Sequence, residues 1–267
     1  MDAITFLYHD VVPAGRGDLS GFQGADADVY KLDSAAFRLH LAAIAPNLQR
    51  AMALAPELPD RSDRRPVLLT FDDGGVSASL YIADMLDEFG WKAHFFVTSG
   101  RVDTAGFLSG GQIRELRRRG HVVGSHSHSH PTRMAHCSDA ELDNEWQRSV
   151  ECLSGILGEP VRVASVPGGY YSRRVASAAA RAGIGLLFNS EPVARAHSVD
   201  GCLVLGRFTA QRATPAAWAA AVAAGNRAVL GREYLFWNAK KLAKALLGTI
   251  WLRARVIFLE RRSKTNR

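Results

Sequence analysis

The chain has 267 residues, enough for one large domain with a sizeable hydrophobic core, and its 47% hydrophobic and 22% charged residues exclude global disorder and fibrous classes. The formal charge of +7 lies at one end, because Arg232–Arg267 contains ten Lys and Arg against two Asp and Glu while the rest of the chain is close to neutral. A neutral body with a basic tail does not fit a uniformly basic nucleic-acid-binding protein, and we expect no nucleic-acid partner.

Short apolar segments typical of strands alternate with helix-like patterns along most of the chain. The predicted strands are Ile4–Tyr8, Val67–Phe71, Ala93–Val97, His121–Gly124, Val161–Val166, Gly185–Phe188 and Leu203–Leu205. The predicted helices are Ser34–Leu54 (kinked or broken at Pro46), Ser77–Phe89, Gly111–Arg119, Asp139–Leu157, Ser172–Ala182 and Pro215–Ala224. This repeated order predicts a parallel sheet with its helices outside, and reactive residues on loops at the carboxyl ends of the strands.

The basic tail from Arg232 is predicted to form one or two amphipathic helices. Two interpretations stay open: a terminal helix packed on the main domain with a solvated basic face, or an interfacial helix that binds anionic lipid or a phosphate on a lipid-linked substrate. The apolar stripe contains Leu242, Leu246, Leu247, Ile250, Ala254, Ile257 and Phe258, and the basic face contains Lys241, Lys244, Arg255 and Arg262.

The cysteines and the N-terminus bear on the cellular compartment. Cys137, Cys152 and Cys202 are an odd number at wide spacing, which fits neither a disulfide framework nor a zinc ribbon and suits a reducing compartment. The first residues lack the pattern of an export signal, and no window reaches the roughly 18 uninterrupted apolar residues of a membrane span. We therefore expect a cytoplasmic protein, with the basic tail as a candidate for peripheral contact with the inner face of the membrane.

The first reactive motif follows the predicted strand Val67–Phe71, which ends in Asp72 and Asp73 and then two glycines. Two adjacent carboxylates repel each other unless a cation lies between them. The glycines allow a sharp turn and a close approach to a ligand. On its own, this pattern is also compatible with an ordinary turn at the end of a strand.

The second motif is a cluster of five of the nine histidines within sixteen residues: His121, His126, His128, His130 and His136. Neutral imidazole is the commonest metal ligand in proteins. On a helical turn His126 and His130 would point the same way, whereas an extended segment would place His126, His128 and His130 on one face. Two histidines and one carboxylate leave positions open on a divalent cation, as catalytic sites require, and the second carboxylate would accept a proton from metal-bound water.

The third motif, Pro167-Gly168-Gly169-Tyr170-Tyr171, follows the predicted strand Val161–Val166. Glycine N–H groups are good oxyanion donors, and tyrosine rings can line a groove of the size of a sugar. Taken alone, the segment is equally an ordinary turn.

Together, Thr70-Phe71-Asp72-Asp73-Gly74, His126-Ser127-x-x-His130-Pro131 and the Pro-x-Gly turn resemble the motifs of polysaccharide deacetylases, the NodB-homology carbohydrate esterases of the family 4 type. The similarity covers roughly residues 3 to 210. The resemblance implies an α/β fold, a distorted (β/α)7-type barrel, here with a basic helical tail. It also implies metal-dependent hydrolysis of the N-acetyl group of an amino sugar to an amine and acetate. We expect residues 1–231 to form the catalytic domain and residues 232–267 the tail.

The resemblance also implies roles for individual residues. Asp72 is expected to be the catalytic base. Asp73, His126 and His130 are expected to bind a divalent metal, most of all Zn²⁺, with Co²⁺, Ni²⁺ or Mn²⁺ as alternatives. The residues expected at the oxyanion and substrate-binding positions are Gly168, Gly169, Tyr170 and Arg207.

Two positions depart from the family pattern. The third motif usually opens with an Arg that pairs with the catalytic Asp, but this chain has Ser165 there, with Arg162 and Arg207 as candidate replacements. The last motif usually ends in a His that protonates the leaving amine, but this chain has Arg207, which is a poor general acid.

A different histidine is therefore the candidate acid. Tyr8-His9 on the first strand resembles an arrangement found in some family members, so His9 is expected to be the acid, with His128 and His197 next in line. The alternative is that His9 is only a structural histidine at a strand end.

The expected partner is an N-acetylated sugar in a glycan, a glycolipid or a lipid-linked precursor, the last two reached through contact of the tail with an anionic membrane. One alternative is the same metal chemistry on a small non-sugar amide. Another is a catalytically impaired sugar-binding protein, suggested by Ser165 and Arg207. A non-haem iron oxygenase shares the two-His, one-carboxylate set, but the second Asp and the β/α order argue against it.

Overall fold

The computed structural model describes residues 2–48 and 65–242. Its strands are β1 (Ile4–Tyr8), β2 (Val11–Val12), β3 (Leu32–Asp33), β4 (Val67–Phe71), β5 (His94–Val97), β6 (Val122–Ser125), β7 (Val163–Ser165), β8 (Leu186–Phe188), β9 (His197–Val199), β10 (Cys202–Leu205) and β11 (Phe208–Thr209). Its α-helices are α1 (Ala25–Asp28), α2 (Ser34–Ile44), α3 (Ala83–Glu88), α4 (Gly110–Arg118), α5 (Asp139–Leu157), α6 (Arg173–Arg181), α7 (Ala216–Ala223) and α8 (227–242).

Nine of the described strands form one sheet in the order β11-β1-β4-β5-β6-β7-β8-β10-β9. All neighbouring pairs in this sheet are parallel except β9 with β10. The sheet curls into a half-barrel with helices packed against it. The predicted α/β fold with a distorted (β/α) barrel is therefore confirmed.

The central strands β1, β4 and β5 are buried on both faces, which is why they read as largely apolar segments. Because side chains alternate along a strand, Leu69 and Phe71 of β4 join the large cluster that also contains helix residues such as Phe37. Leu68 lies in a separate cluster with Phe96 and Phe188, which fills the inner face of the curled sheet.

The register of the central strands places the reactive loops side by side. Tyr8 of β1 is level with Phe71 of β4, so the residues that follow, His9 and Asp72, leave the sheet at the same height. Ser125 of β6 is level with Val97 of β5 and with Ala164 of β7, so His126 emerges beside the end of β7. The carboxyl ends of the five adjacent strands β1, β4, β5, β6 and β7 therefore meet at one edge of the sheet, as predicted.

Helix α5, which packs behind these loops, begins and ends where the sequence predicts. A capping box at its start joins Ser138 and Glu141, each side chain binding the other residue's backbone N–H. Gly158 ends the helix in the left-handed conformation, with φ of 72°.

Other elements differ from the predictions. The predicted helix Ser34–Leu54 ends at Ile44 and is followed by a short 3₁₀ turn, Ala45–Asn47, which contains Pro46; residues 49–54 lie outside the described part of the chain. The predicted helix Ser77–Phe89 is a π-helical turn, Ala78–Ile82, followed by α3. The short strands β2, β3, β9 and β11 were not predicted.

The C-terminal region is described only in part. Helix α8 runs without a break through the predicted domain boundary at residues 231 and 232. Most of the predicted tail, residues 243–267, lies outside the described residues. Among residues 2–48 and 65–242, no helix has the length and hydropathy required to cross a membrane.

Candidate metal and catalytic site

Asp73, His126 and His130 converge at the carboxyl ends of β4 and β6. Each contributes a ligand atom, and the three atoms lie within 4.8 Å of one another. Asp73 Oδ1 is 3.4 Å from His126 Nε2 and 3.5 Å from His130 Nε2. The structure thus brings together the three residues expected to bind the metal.

Left-handed backbone conformations produce this convergence. Asp73 has φ of 76°, and Ser127 and His130 both have φ of 61°. Such values are uncommon for residues other than glycine and cluster at functional sites. The histidine segment is therefore neither helical nor extended. Its shape directs His126 and His130 toward Asp73. His128 points elsewhere, and its Nδ1 lies 2.9 Å from Ser99 Oγ.

The donor set fits a divalent cation. His126 Nδ1 lies 2.6 Å from Ser165 Oγ and 3.2 Å from the Ser165 carbonyl oxygen. Because Ser165 Oγ donates its own proton to Asp72 Oδ1 at 3.0 Å, Nδ1 is the donor to Ser165, and in the neutral tautomer this leaves Nε2, which faces Asp73, as the atom with a free lone pair. One carboxylate and two imidazoles whose Nε2 atoms face a common point are ligands suited to Zn²⁺ and related ions.

Asp72 lies beside this set and is 5% exposed. Arg207 donates to both of its oxygens, from Nη1 to Oδ1 at 2.7 Å and from Nη2 to Oδ2 at 2.8 Å. Asp72 Oδ2 is also 3.9 Å from His126 Nε2. Burial is the largest single influence and raises the pKa of Asp72, but the charge and hydrogen bonds of Arg207 together with the nearby His126 and His9 outweigh it, so the pKa lies below its ordinary value and the carboxylate stays ionised at neutral pH.

Arg207 is fully buried, and its donors are directed at protein atoms. Its Nε donates to the Asn189 carbonyl at 2.8 Å, and its Nη1 also reaches Thr70 Oγ1 at 3.1 Å. Of the two candidates to replace the arginine missing at Ser165, Arg207 pairs with Asp72, whereas Arg162 is exposed. The expectation that Arg207 contacts the oxyanion or the substrate is therefore corrected, because this buried side chain binds both carboxylate oxygens of Asp72.

His9 lines the same small cleft as Asp72. Its ring packs on Tyr30, with 4.8 Å between the ring centroids. Its Nδ1 atom is buried and makes no hydrogen bond to any described residue. The other two candidate acids are engaged elsewhere, His128 with Ser99 and His197 with the hydroxyl of Tyr171 at 3.0 Å.

The Pro-Gly-Gly turn follows β7 and packs against the segment after His130. Gly168 and Gly169 are both left-handed, with φ of 64° and 70°. A Cβ at Gly168 would lie 2.6 Å from the Thr132 carbonyl oxygen, so this position requires glycine. Gly168 is exposed, and Tyr170 is half-buried beside Arg133, whose guanidinium lies 5.9 Å from the ring.

Asp10 is a residue of the site region that the sequence analysis did not identify. It is 3% exposed, and its Oδ1 accepts hydrogen bonds from Ser20 Oγ at 2.5 Å and from Ser77 Oγ at 2.7 Å. It thus joins the loop after β1 to the loop after β4. Burial raises the pKa of Asp10 more than these hydroxyl groups lower it. Its position directly after His9 was the available signal.

Phe22 and Glu145 were also missed. The Phe22 ring lies 4.7 Å from the His130 ring and beneath the Arg101 guanidinium, 5.6 Å away. Phe22 lies in the Gly- and Asp-rich segment 15–28, whose composition by itself indicates only a surface loop. Glu145 accepts hydrogen bonds from the histidine loop, and its available signal was a charged residue on the apolar face of a predicted helix.

Comparisons with known proteins agree with this geometry. A sequence model of the family described as polysaccharide deacetylase matches residues 60–187. The peptidoglycan-N-acetylglucosamine deacetylase PgdA of Listeria monocytogenes is 30% identical over 122 residues, which are 45% of this chain and 25% of that protein. A chitooligosaccharide deacetylase of Rhizobium leguminosarum bv. trifolii is 33% identical over 93 residues, 34% of this chain and 41% of that protein. The matched region thus spans less than half the length of these relatives.

Solved structures show the fold. The Streptococcus pyogenes deacetylase PplD, solved with acetate, has a TM-score of 0.67 at 20% identity, covering 81% of this chain and 95% of that one. A polysaccharide deacetylase from Bacillus cereus has a TM-score of 0.69 at 18% identity, covering 83% and 69%. The resemblance inferred from the motifs is therefore confirmed: residues 60–187 match the family model of polysaccharide deacetylases, and the barrel around them has the fold of NodB-like deacetylases.

Proposed function

We propose that this protein is a metal-dependent deacetylase that hydrolyses the N-acetyl group of an amino sugar, releasing acetate and a free amine. The observation that carries the proposal is the juxtaposition of a buried, ionised Asp72 with the convergent set Asp73, His126 and His130. A divalent metal held by these three residues, Zn²⁺ by preference, would polarise the acetamide carbonyl and lower the pKa of a water molecule.

Asp72 acts as the base. Its carboxylate is fixed by Arg207 and Ser165, so it enters the reaction with a set orientation. It accepts the proton of the water that attacks the acetamide carbon. In the turn at Gly168 and Gly169 no side chain covers the backbone. The Gly168 N–H therefore supplies a hydrogen-bond donor to the oxyanion, and the Tyr170 ring lines the sugar-binding groove.

His9 acts as the acid. An amine leaves as a neutral group only after protonation, so the reaction needs a second proton carrier near Asp72. His9 lines the same cleft and has a buried Nδ1 without a protein partner. These two features favour it over His128 and His197.

The substrate class rests on the relatives and on the tail. Two curated relatives are named for peptidoglycan N-acetylglucosamine and for chitooligosaccharide, which supports an N-acetylglucosamine-like sugar. We further propose a cytoplasmic protein that meets a glycolipid or a polyprenyl-phosphate sugar at the inner face of the membrane. Helix α8 exposes Leu235 and Phe236, at 70% and 58%, and carries four basic residues against one acidic residue, a combination that complements an anionic bilayer surface.

Metal analysis of the purified protein together with an acetate-release screen tests the catalytic proposal. The screen uses a chito-oligosaccharide, a nucleotide-linked and a lipid-linked N-acetyl sugar, and a small non-sugar acetamide. One equivalent of Zn²⁺ and acetate from at least one sugar support the proposal. Acetate from the non-sugar amide alone, or bound sugar without acetate, would replace it with one of the two alternatives.

Vesicle sedimentation tests the membrane contact. The protein should pellet with phosphatidylglycerol vesicles and not with phosphatidylcholine vesicles. A Leu235→Ser, Phe236→Ser variant should stay in the supernatant, whereas Leu39→Ser, which changes another exposed apolar side chain on α2, should pellet as the wild type does. Equal pelleting of all three proteins would remove α8 from the proposal.

A further inference from the structure

The loop that carries both imidazoles has no regular secondary structure between β6 and Pro131, so hydrogen bonds must fix its shape. Ser127 and His130 hold left-handed conformations, which persist only where the surroundings impose them. The loop therefore needs strong partners close to the two metal-binding positions.

Glu145 of α5 is the charged group that faces this loop. Its Oε2 accepts the backbone N–H groups of His128, at 2.9 Å, and of Ser129, at 2.8 Å. Its Oε1 accepts the Ser129 hydroxyl at 2.7 Å. A carboxylate is an acceptor at both oxygens, so it matches three donors that converge from one loop.

Weaker neutral contacts hold the two ends of the loop. Ser127 Oγ accepts the N–H of His130 at 3.1 Å, and Ser125 Oγ accepts the N–H of Ser127 at 3.1 Å. On the other side, the N–H of Gly100 donates to the His128 carbonyl at 2.8 Å. Glu145 thus anchors the middle of the loop. The residues that it binds, His128 and Ser129, lie between His126 and His130.

The burial of Glu145 is energetically unfavourable, which indicates that this carboxylate has a role beyond helix packing. It is 8% exposed and lies between Leu142, Trp146 and Ser149 on the buried face of α5. Among the described residues, no Lys or Arg forms an ion pair with it. A buried charge without a counter-ion is unfavourable unless hydrogen bonds compensate it, and an apolar residue would serve helix packing better.

We propose that Glu145 is a positioning residue for the metal site: by shaping the loop between His126 and His130 it sets the affinity for the divalent ion, without contacting ion or substrate. This inference rests on the proposed function, because it assumes that the two imidazoles bind a metal. It differs from a purely structural role in its consequence, because loss of the Glu145 contacts is expected to weaken metal binding beyond any change in the stability of the metal-free protein.

The test is Glu145→Gln, which keeps the size of the side chain but turns one acceptor into a donor that faces another donor. The dissociation constant for Zn²⁺ is measured on metal-free protein by competition with a fluorescent chelator, next to thermal unfolding of the same metal-free protein. We expect the dissociation constant to rise about 10- to 100-fold, the usual effect of losing a partner that orients metal ligands.

The control is Glu141→Ala, one turn earlier on α5. Glu141 is exposed and accepts the Ser138 N–H at 2.7 Å in the capping box, a bond that alanine cannot make, so this variant should unfold at a lower temperature while binding Zn²⁺ as the wild type does. A loss of metal affinity that simply followed helix stability would appear in both variants and would overturn the inference.

Ser129→Ala gives a second, milder variant. It removes one of the three hydrogen bonds to Glu145 and leaves the fold intact, and it should raise the Zn²⁺ dissociation constant a few-fold. Wild-type affinity in both Glu145→Gln and Ser129→Ala would overturn the inference while leaving the deacetylase proposal standing. Absence of a Zn²⁺ site in the wild-type protein would instead overturn both.

Discussion

Arg207 and Asp72 form a two-point ion pair beneath the site, with Nη1 to Oδ1 at 2.7 Å and Nη2 to Oδ2 at 2.8 Å. The two residues are separated by 135 positions in the chain and neither is appreciably exposed. A buried pair of this kind is costly to break from one side, because the remaining charge loses its partner. The pair therefore connects the stability of the barrel to the orientation of Asp72, the carboxylate proposed as the catalytic base.

Arg207→Met should destabilise the protein and impair turnover together. We expect a loss of about 3–5 kcal/mol in the free energy of unfolding, the usual cost of an orphaned buried charge, measured by urea denaturation. Arg207→Lys keeps the charge but cannot bond both oxygens, so its effect should be intermediate. Arg162→Met alters an exposed arginine and should change neither property; an Arg207→Met protein as stable as that control would refute the role of the pair.

Asp72→Asn should reduce acetate release by about 10²–10⁴-fold, the contribution of a general base, because an amide cannot take up the proton of water. The variant should still bind metal, since Asp73, His126 and His130 are unchanged. Acetate release and metal content are measured on the same preparation. An Asp72→Asn protein with near wild-type turnover would transfer the base role to another residue.

His9→Ala should slow sugar deacetylation by about 10²–10⁴-fold and leave hydrolysis of an activated ester such as 4-nitrophenyl acetate nearly unchanged. The phenolate leaves without a proton, whereas the sugar amine must be protonated. The ratio of the two rates is the measurement. His197→Ala, which removes a histidine bonded to Tyr171, serves as the control; equal rate ratios in the two variants would reassign the acid.

Stability should fall as the pH is lowered from 6.5 to 4, in part through His94 and His121. Burial lowers the pKa of each of these fully buried side chains from 6.5 to about 4. Between these values the unfolded chain binds more protons than the folded protein, so acid favours unfolding, by up to about 3 kcal/mol per histidine.

His121→Asn isolates one of these contributions. The amide oxygen can replace His121 Nδ1, which accepts the Ala93 N–H at 3.3 Å, without adding a group that titrates. The slope of unfolding free energy against pH between 5 and 6.5 should become shallower than in the wild type. His136→Asn, at an exposed position, should leave the slope as it is. An unchanged slope in His121→Asn would contradict the assignment.

The sequence predicted best the elements with local signals. Strands β1 and β4 have the predicted bounds, because each is a run of apolar and β-branched residues that ends at two polar residues, His9-Asp10 or Asp72-Asp73. Helix α5 has them too, because Ser138 and Gly158 mark its ends. The edge strands β2, β3, β9 and β11 escaped prediction because two or three residues carry no periodicity, and their pairing depends on distant partners.

The residues of the site also divide into those with local sequence signals and those whose role depends on distant partners. The acidic pair and the histidines stand in contiguous motifs, so they could be read directly. The partner of Asp72 could not, because the choice between Arg162 and Arg207 depends on which strand end points into the barrel. The role of Glu145 depends on the left-handed shape of a loop, and no residue type in that loop specifies this shape.

The clamp made by Asp10, Ser20 and Ser77 has a consequence for the proposed mechanism. Beyond the five paired positions of β1 and β4, this clamp ties together the two loops that carry His9 and Asp72. The clamp therefore favours a constant separation between the residues proposed as proton donor and proton acceptor before any substrate arrives. Under the proposed mechanism, such preassembly would leave the energy of substrate binding available for orientation of the acetamide.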